Sequence, residues 1–248
     1  MQGLAGKTAL VTGAAGGIGR ATALMLASHG TRLFLSDLQA AACEETAEMI
    51  RSAGGDAHAM QADISDETQV AALFERLKST FGSLDIAVNN AGIEGGTHPF
   101  VAYPSDTWHK VIAVNLSGVF FCMRAEIELM KGGSIVNVAS VAGISGFAYH
   151  AAYSASKHGV VGLTRSAAQE TARKGLRVNA VCPAFTQTDM VDRISALVPQ
   201  VAEKLLASVP MRRLATPEEI ASAIVWLSSG ESSFITGHCL VADGGLRA

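Results

Sequence analysis

Short apolar β-type runs alternate with longer helix-patterned stretches along the whole 248-residue chain, which predicts an α/β fold: a mostly parallel, doubly wound sheet with helices on both faces. Composition agrees. With 49% hydrophobic and 17% charged residues, the chain can bury a substantial core within one domain. A cluster of glycines directly after the first apolar run adds the third pointer, a tight turn from strand into helix.

The elements follow in order. Residues 7 to 12 carry Thr8-Ala9-Leu10-Val11, and the turn Thr12-Gly13-Ala14-Ala15-Gly16-Gly17-Ile18-Gly19 ends them, with a helix beginning after Gly17. Residues 32 to 36 form the second run; residues 56 to 61 form the third and lead to a helix after Asp66. Residues 84 to 88 precede a helix near Ser105, residues 133 to 139 precede one near His150, and residues 176 to 182 form the sixth run. The stretch from about 186 to 213 mixes helical pattern with Pro199 and Pro210, and its length outside the sheet marks it as a lid over a substrate. Thr216-Pro217-Glu218-Glu219 starts the last helix, with a capping hydroxyl, proline at the first helical position and acidic residues in the first turn. Residues 238 to 242 complete a seven-stranded sheet, and neither linker nor repeat divides residues 1–248.

A net charge of -3 with scattered lysines and arginines provides no basic field for a phosphate backbone, so no nucleic-acid partner is expected. No apolar run is long enough to span a bilayer, and the first strand begins too early to leave room for a secretion signal. Cys43, Cys122, Cys182 and Cys239 include no CxxC pair and no histidine at metal-ligand spacing, so no metal is expected. A soluble, reduced, cytoplasmic protein is the expectation.

A strand, closely spaced glycines and a helix in succession let the backbone approach a pyrophosphate and aim a helix N-terminus at its charge. Gly13, Gly17 and Gly19, with Ile18 between them, carry that reading; the alternative is a tight turn that binds nothing. Asp37, eighteen residues beyond Gly19 and at the end of Arg32-Leu33-Phe34-Leu35-Ser36, meets the further condition for a dinucleotide site. The fold then reads as a single-domain Rossmann-type sheet. A carboxylate at Asp37 accepts hydrogen bonds from ribose hydroxyls and repels a 2′-phosphate, and no basic residue competes, since position 16 is Gly and position 38 is Leu. NAD is therefore the expected cofactor, with helix capping as the alternative role of Asp37. Asp63 and Ile64 face the adenine or, alternatively, Asp63 caps a helix.

Tyr153 and Lys157 stand at i and i+4 on one helix face, where an ammonium lowers a phenol's pKa from about 10 toward neutrality. A lowering of about 3 units requires roughly 4 kcal/mol of preferential anion stabilisation, within reach of one close ammonium plus an oxidised nicotinamide ring. Ser140 lies thirteen positions upstream of Tyr153. Asn115 interrupts the apolar run Val111-Ile112-Ala113-Val114-Asn115-Leu116, where an amide needs a purpose or a satisfied place in the core.

These residues, with Asn89-Asn90-Ala91-Gly92 and Pro183 to Thr188, resemble the short-chain dehydrogenase/reductase family in motif and order across essentially the whole chain. The resemblance implies that Ser140 hydrogen-bonds the substrate oxygen and that Tyr153 transfers the proton to or from it. It gives Lys157 the nicotinamide ribose and the tyrosinate, and Asn115 a water linking Lys157 to solvent. It assigns Asn90, Ala91 and Gly92 to the adenosine ribose, and Pro183, Thr186 and Thr188 to the carboxamide end, while Asn89 is more structural. Two positions depart from the family pattern. Pro183-Ala184 replaces Pro-Gly and narrows the pocket, and Ala242-Asp243-Gly244-Gly245 replaces Val-Asp-Gly-Gly.

The implied reaction is NAD-dependent interconversion of a secondary alcohol and a ketone on a largely apolar substrate, cyclic ones included. Ile93, Val141, Phe147, Ala184, Phe185 and Met190 form the expected wall with Tyr149 and Val191; His98 and His150 are either specificity contacts or ordinary surface histidines. A 3-oxoacyl-carrier-protein reductase is the alternative, disfavoured by Asp37, and a non-catalytic NAD-binding regulator is the alternative of another class. The family also implies a homotetramer or homodimer packed through helices near 104 to 130 and 150 to 173.

Overall fold

The computed structural model describes residues 1–187 and 207–248. Its strands are β1 (Thr8–Thr12), β2 (Arg32–Asp37), β3 (Ala57–Gln61), β4 (Ile86–Asn89), β5 (Gly133–Val138), β6 (Leu176–Pro183) and β7 (Cys239–Ala242). They form one parallel sheet in the order β3-β2-β1-β4-β5-β6-β7. The expected Rossmann-type doubly wound α/β fold is the observed one.

Seven α-helices cover the sheet among the described residues: α1 (Gly17–Ser28), α2 (Ala40–Ser52), α3 (Glu67–Phe81), α4 (Ser105–Ile112), α5 (Val119–Leu129), α6 (Ala151–Thr171) and α7 (Pro217–Ser228). Because the inner strands are buried on both faces, their side chains divide between two cores. Leu26, Ile50 and Ile224 of α1, α2 and α7 pack with Ala9 and Val11 on one face, while Leu73, Val119 and Val160 of α3, α5 and α6 pack with Leu10 on the other.

Local chemistry sets the helix starts. Asp66 caps α3 by accepting from Thr68 N at 2.9 Å and Gln69 N at 3.3 Å, and Thr216 with Glu219 forms a reciprocal capping box ahead of Pro217. Helix α2 was not among the expected starts, and Gln39 before it makes no side-chain cap bond. Helices α4 and α5 run together through a π-helical turn, Ala113–Gly118, which carries Asn115. Leu84 and Asp85 lie before β4 rather than in it: the Asp85 carboxylate accepts from Thr8 N and Lys7 Nζ and so braces the sheet's lower edge.

The sheet order reverses at β1, where Thr12 is level with Ser36 of β2 on one side and Asn89 of β4 on the other. In such sheets the crevice for a ligand opens at the carboxyl ends of the strands on either side of the reversal. Most of the expected lid, including Thr188, Met190 and Val191, lies outside the described residues. No helix among the described residues is long and apolar enough to cross a membrane.

Candidate active site

A cleft of about 800 Å³ opens at that end, bordered by the glycine turn, Asp37, Asp63, Asn90, Tyr153 and Lys157. Gly13 has φ 67°, and a Cβ there would stand 2.8 Å from Ala91 Cα and 2.7 Å from the Asn90 amide. Gly17 has φ 50° and begins α1. Gly19 acts from beneath, because a Cβ on it would collide with the Gly13 carbonyl oxygen. Asn90 Nδ2 pins the turn from below by donating to Thr12 O at 3.1 Å and Gly13 O at 2.9 Å. This backbone cradle fits a dinucleotide pyrophosphate, with Ile18 beside it on the cleft wall.

Asp37 also lines the cleft, beside the glycine turn. Its two carboxylate oxygens accept from Ala15 N at 3.0 Å and Gln39 N at 2.9 Å, which fixes it against the turn without using all its acceptor sites. Arg20, overlooked in the sequence, also borders the cleft, but its guanidinium is spent on Ala15 O at 2.7 Å, Thr46 Oγ1 at 3.0 Å and Glu45 at 2.9 Å. Asp63 does not cap α3. It accepts from the backbone and hydroxyl of Ser65 at 2.9 and 2.6 Å, and this turn leaves Asp63 and Ile64 on the cleft wall with Ala91 and Gly92.

The catalytic candidates converge on the wall of the same cleft. Ser140 follows β5 and its Oγ accepts from Ala142 N at 3.1 Å; the same hydroxyl stands near enough to the Tyr153 phenol to act on its acidity. Lys157 is 4% exposed; its Nζ donates to Val138 O at 2.7 Å and lies 5.7 Å from the centre of the Tyr153 ring. Burial holds the phenol above its ordinary value, the Ser140 hydroxyl opposes this, and the Glu94 carboxylate adds to it. Burial also brings Lys157 down to about 8. In the chain by itself desolvation dominates at the phenol; the expected lowering called for the ammonium together with an oxidised nicotinamide ring.

Asn115 is fully buried, and its amide clamps Ile93, accepting from Ile93 N at 2.8 Å and donating to Ile93 O at 2.8 Å and Ser156 Oγ at 3.3 Å. The side chain is therefore a satisfied core amide that sets the loop after β4. Asn89, expected to be structural, bridges strands by donating to Asn137 Oδ1 at 2.9 Å.

Ile93, Pro183, Ala184 and Thr186 border the cleft beside this set. The Phe147 and Phe185 rings meet edge-on at 6.3 Å, whereas Val141 is 3% exposed and belongs to the core more than to a pocket surface. His98 packs edge-on against Tyr103. His150, at the N-terminus of α6, is no ordinary surface histidine: its Nε2 lies 3.3 Å from Glu94 Oε1. Glu94 was missed in the sequence, where a charge directly after Asn90-Ala91-Gly92-Ile93 was the available signal.

Comparison with known proteins agrees with this geometry. A family model described as enoyl-(acyl carrier protein) reductase matches residues 13–247. The chain is 42% identical to cis-4-hydroxycyclohexanecarboxylate dehydrogenase of Sinomonas cyclohexanicum, over all of this chain and 99% of that one. It is 39% identical to a 3-oxoacyl-[acyl-carrier-protein] reductase of Synechocystis, over 99% of each chain. The crystal structure of NAD+-bound xylitol dehydrogenase, 35% identical, superposes with a TM-score of 0.95 over 98% of this chain and 100% of the other. Sheet order, glycine cradle, Ser-Tyr-Lys convergence and full-length likeness all lead to one assignment: the chain belongs to the short-chain dehydrogenase/reductase family, whose members are oxidoreductases acting on CH-OH groups.

Proposed function

We propose that the protein interconverts a secondary alcohol and a ketone on a largely apolar, ring-shaped substrate with NAD as cofactor. The observation that carries this reading is the convergence of Ser140, Tyr153 and the buried Lys157 on the wall of one cleft that also holds the glycine turn and Asp37. A bound nicotinamide dinucleotide supplies or accepts the hydride at the substrate carbon. Ser140 orients the substrate oxygen, and Tyr153 gives that oxygen a proton in reduction or takes one in oxidation. Lys157 holds the nicotinamide ribose and steadies the tyrosinate, with the oxidised ring as the second positive charge that the chain by itself lacks. Since the Asn115 amide is engaged with Ile93, any water of the proton relay must be held by the backbone of its π-helical turn. The cyclohexane ring in the substrate of the Sinomonas relative and the Phe147–Phe185 pair support a cyclic substrate.

Asp37, fixed beside the glycine turn, favours NAD over NADP. The Synechocystis relative favours the carrier-protein reductase reading instead, and one experiment separates the two. Oxidation of a panel of cyclic and open-chain secondary alcohols is followed by absorbance of the reduced cofactor, with NAD and with NADP. Turnover with at least tenfold preference for NAD is expected; preference for NADP(H) together with activity on 3-oxoacyl thioesters overturns the reading, and binding without turnover leaves a non-catalytic regulator.

The four cysteines are free thiols, which suits a reducing cytoplasm. Assembly as a homotetramer, or a homodimer, belongs to the same reading. Trp108 of α4 and Phe120 of α5 are exposed, as are Phe100 and Val101 in the turn before α4. Light scattering should give a multiple of the 25.7 kDa chain mass, and a monomer at micromolar concentration contradicts this assembly.

A further inference from the structure

We propose that Glu94 and His150 form a polar subsite beside the reacting carbon that takes a second hydroxyl group of the substrate and turns away a carboxylate. The inference rests on the dehydrogenase reading above and specifies its substrate class: neutral cyclic diols or hydroxyketones.

The ring of His150 is fixed from both sides. Its Nδ1 lies 2.9 Å from Ala148 O, an atom that only accepts, so Nδ1 carries a proton. Its Nε2 faces Glu94 Oε1 at 3.3 Å and Thr97 Oγ1 at 3.5 Å. The contact with Glu94 is a hydrogen bond from the ring when Nε2 carries a proton as well. The hydrogen bond to Glu94 correspondingly raises His150 above its ordinary value.

The pair joins the segment after β4 to the N-terminus of α6, next to Ile93 and Tyr153 of the cleft wall. Glu94 follows Ile93, the residue clamped by Asn115, and His150 precedes Tyr153 by three positions. A second tie holds the two segments together: His98 N donates to Tyr149 O at 2.9 Å, and Tyr149 has φ 67°, a conformation that L side chains rarely adopt. Such strain persists where surrounding contacts over-determine a geometry, as at ligand sites. Both side chains are about a quarter exposed, so the pair is reachable yet sheltered.

Glu94 stands close enough to Tyr153 for its charge to act on the phenol. Among the described residues, its second oxygen, Oε2, accepts no hydrogen bond. A substrate hydroxyl can donate to that oxygen. A carboxylate finds the Nε2 side of His150 already taken by the Glu94 carboxyl group.

The test compares kcat/KM of wild type, Glu94→Gln, Glu94→Asp and His150→Asn for cyclohexanol, cyclohexane-1,2-diol, cyclohexane-1,4-diol and 4-hydroxycyclohexanecarboxylate, with melting curves to establish folding. For wild type, at least one diol should exceed cyclohexanol, and the carboxylate should rank last. In Glu94→Gln the ratio of that diol to cyclohexanol should fall at least tenfold, mainly through KM, and the carboxylate should gain relative to cyclohexanol; Glu94→Asp should restore part of the ratio. Turnover of cyclohexanol with no diol preference in wild type, or the same ranking in Glu94→Gln, overturns the subsite alone. No turnover of any of the four overturns the underlying reading and the subsite with it. If Glu94→Gln does not fold, His150→Asn takes its place, and an unchanged ranking there is equally fatal.

Discussion

Tyr153→Phe should reduce kcat by about 10³-fold or more, the upper part of what a positioned acid/base contributes, with a far smaller change in the dissociation constant for NADH. The phenyl ring keeps the shape of the buried site and removes only the atom that exchanges a proton, so kcat and kcat/KM should fall together. Lys157→Ala should weaken dinucleotide binding as well, since the ammonium, held by Val138 O at 2.7 Å, lies beneath both the phenol and the ribose position. The direction of the pH dependence follows from the phenol. Burial raises Tyr153, so near neutrality the chain by itself holds the proton that reduction needs, and oxidation should accelerate as pH rises and the tyrosinate form grows. Steady-state rates in both directions across pH 6 to 10 check this. Tyr153→Phe within tenfold of wild type, or an oxidation rate that falls between pH 6 and 8, contradicts the assignment.

The parts legible in the sequence were those in which one residue type has a single physical use. The inner strands were legible as apolar runs because a sheet covered on both faces admits few polar residues. Glycines at 13, 17 and 19 were readable because each position excludes a side chain for a reason of backbone geometry or close packing. Asp66 and Thr216 marked helix starts because they do cap them, whereas α2 starts after Gln39 with no side-chain cap and left no signal. What stayed hidden depends on pairs distant in the chain. Glu94 gains meaning only when His150, 56 residues later, is brought to 3.3 Å. Arg20 borders the cleft, but its charge is neutralised by Glu45, which the sequence does not place beside it. The Tyr153–Lys157 spacing reports proximity and says nothing of desolvation, which raises the phenol and lowers the ammonium in the chain by itself.

Glu126 of α5 should make the protein less stable as pH rises from about 5 to 8, and Glu126→Gln should remove most of that loss. The side chain is fully buried, and burial pushes its carboxyl up to about 8, with a hydrogen bond from Asn89 Nδ2 at 3.0 Å only partly opposing the rise. Between the ordinary carboxylate value of 4.5 and about 8, the folded chain keeps a proton that the unfolded chain has released. Fewer protons on the unfolded state means that stability falls with rising pH through this window and levels off above it. At about 1.4 kcal/mol per unit, the loss approaches about 5 kcal/mol. Among the described residues no positive charge acts on the group: Asn89 Nδ2 also serves Asn137 Oδ1, and Asn137 Nδ2 donates to Thr164 Oγ1 at 2.9 Å. Glu126 Oε1 and Asn89 Oδ1 are buried oxygens without a hydrogen-bond partner, a poor setting for a carboxylate and a suitable one for an amide NH₂. Melting curves of wild type and Glu126→Gln should therefore nearly coincide at pH 5 and separate by roughly 10 °C at pH 8, with the variant the more stable. Parallel pH dependence of the two proteins would show that Glu126 titrates normally, and with it that the polar bridge between β4, β5 and α5 is open to water.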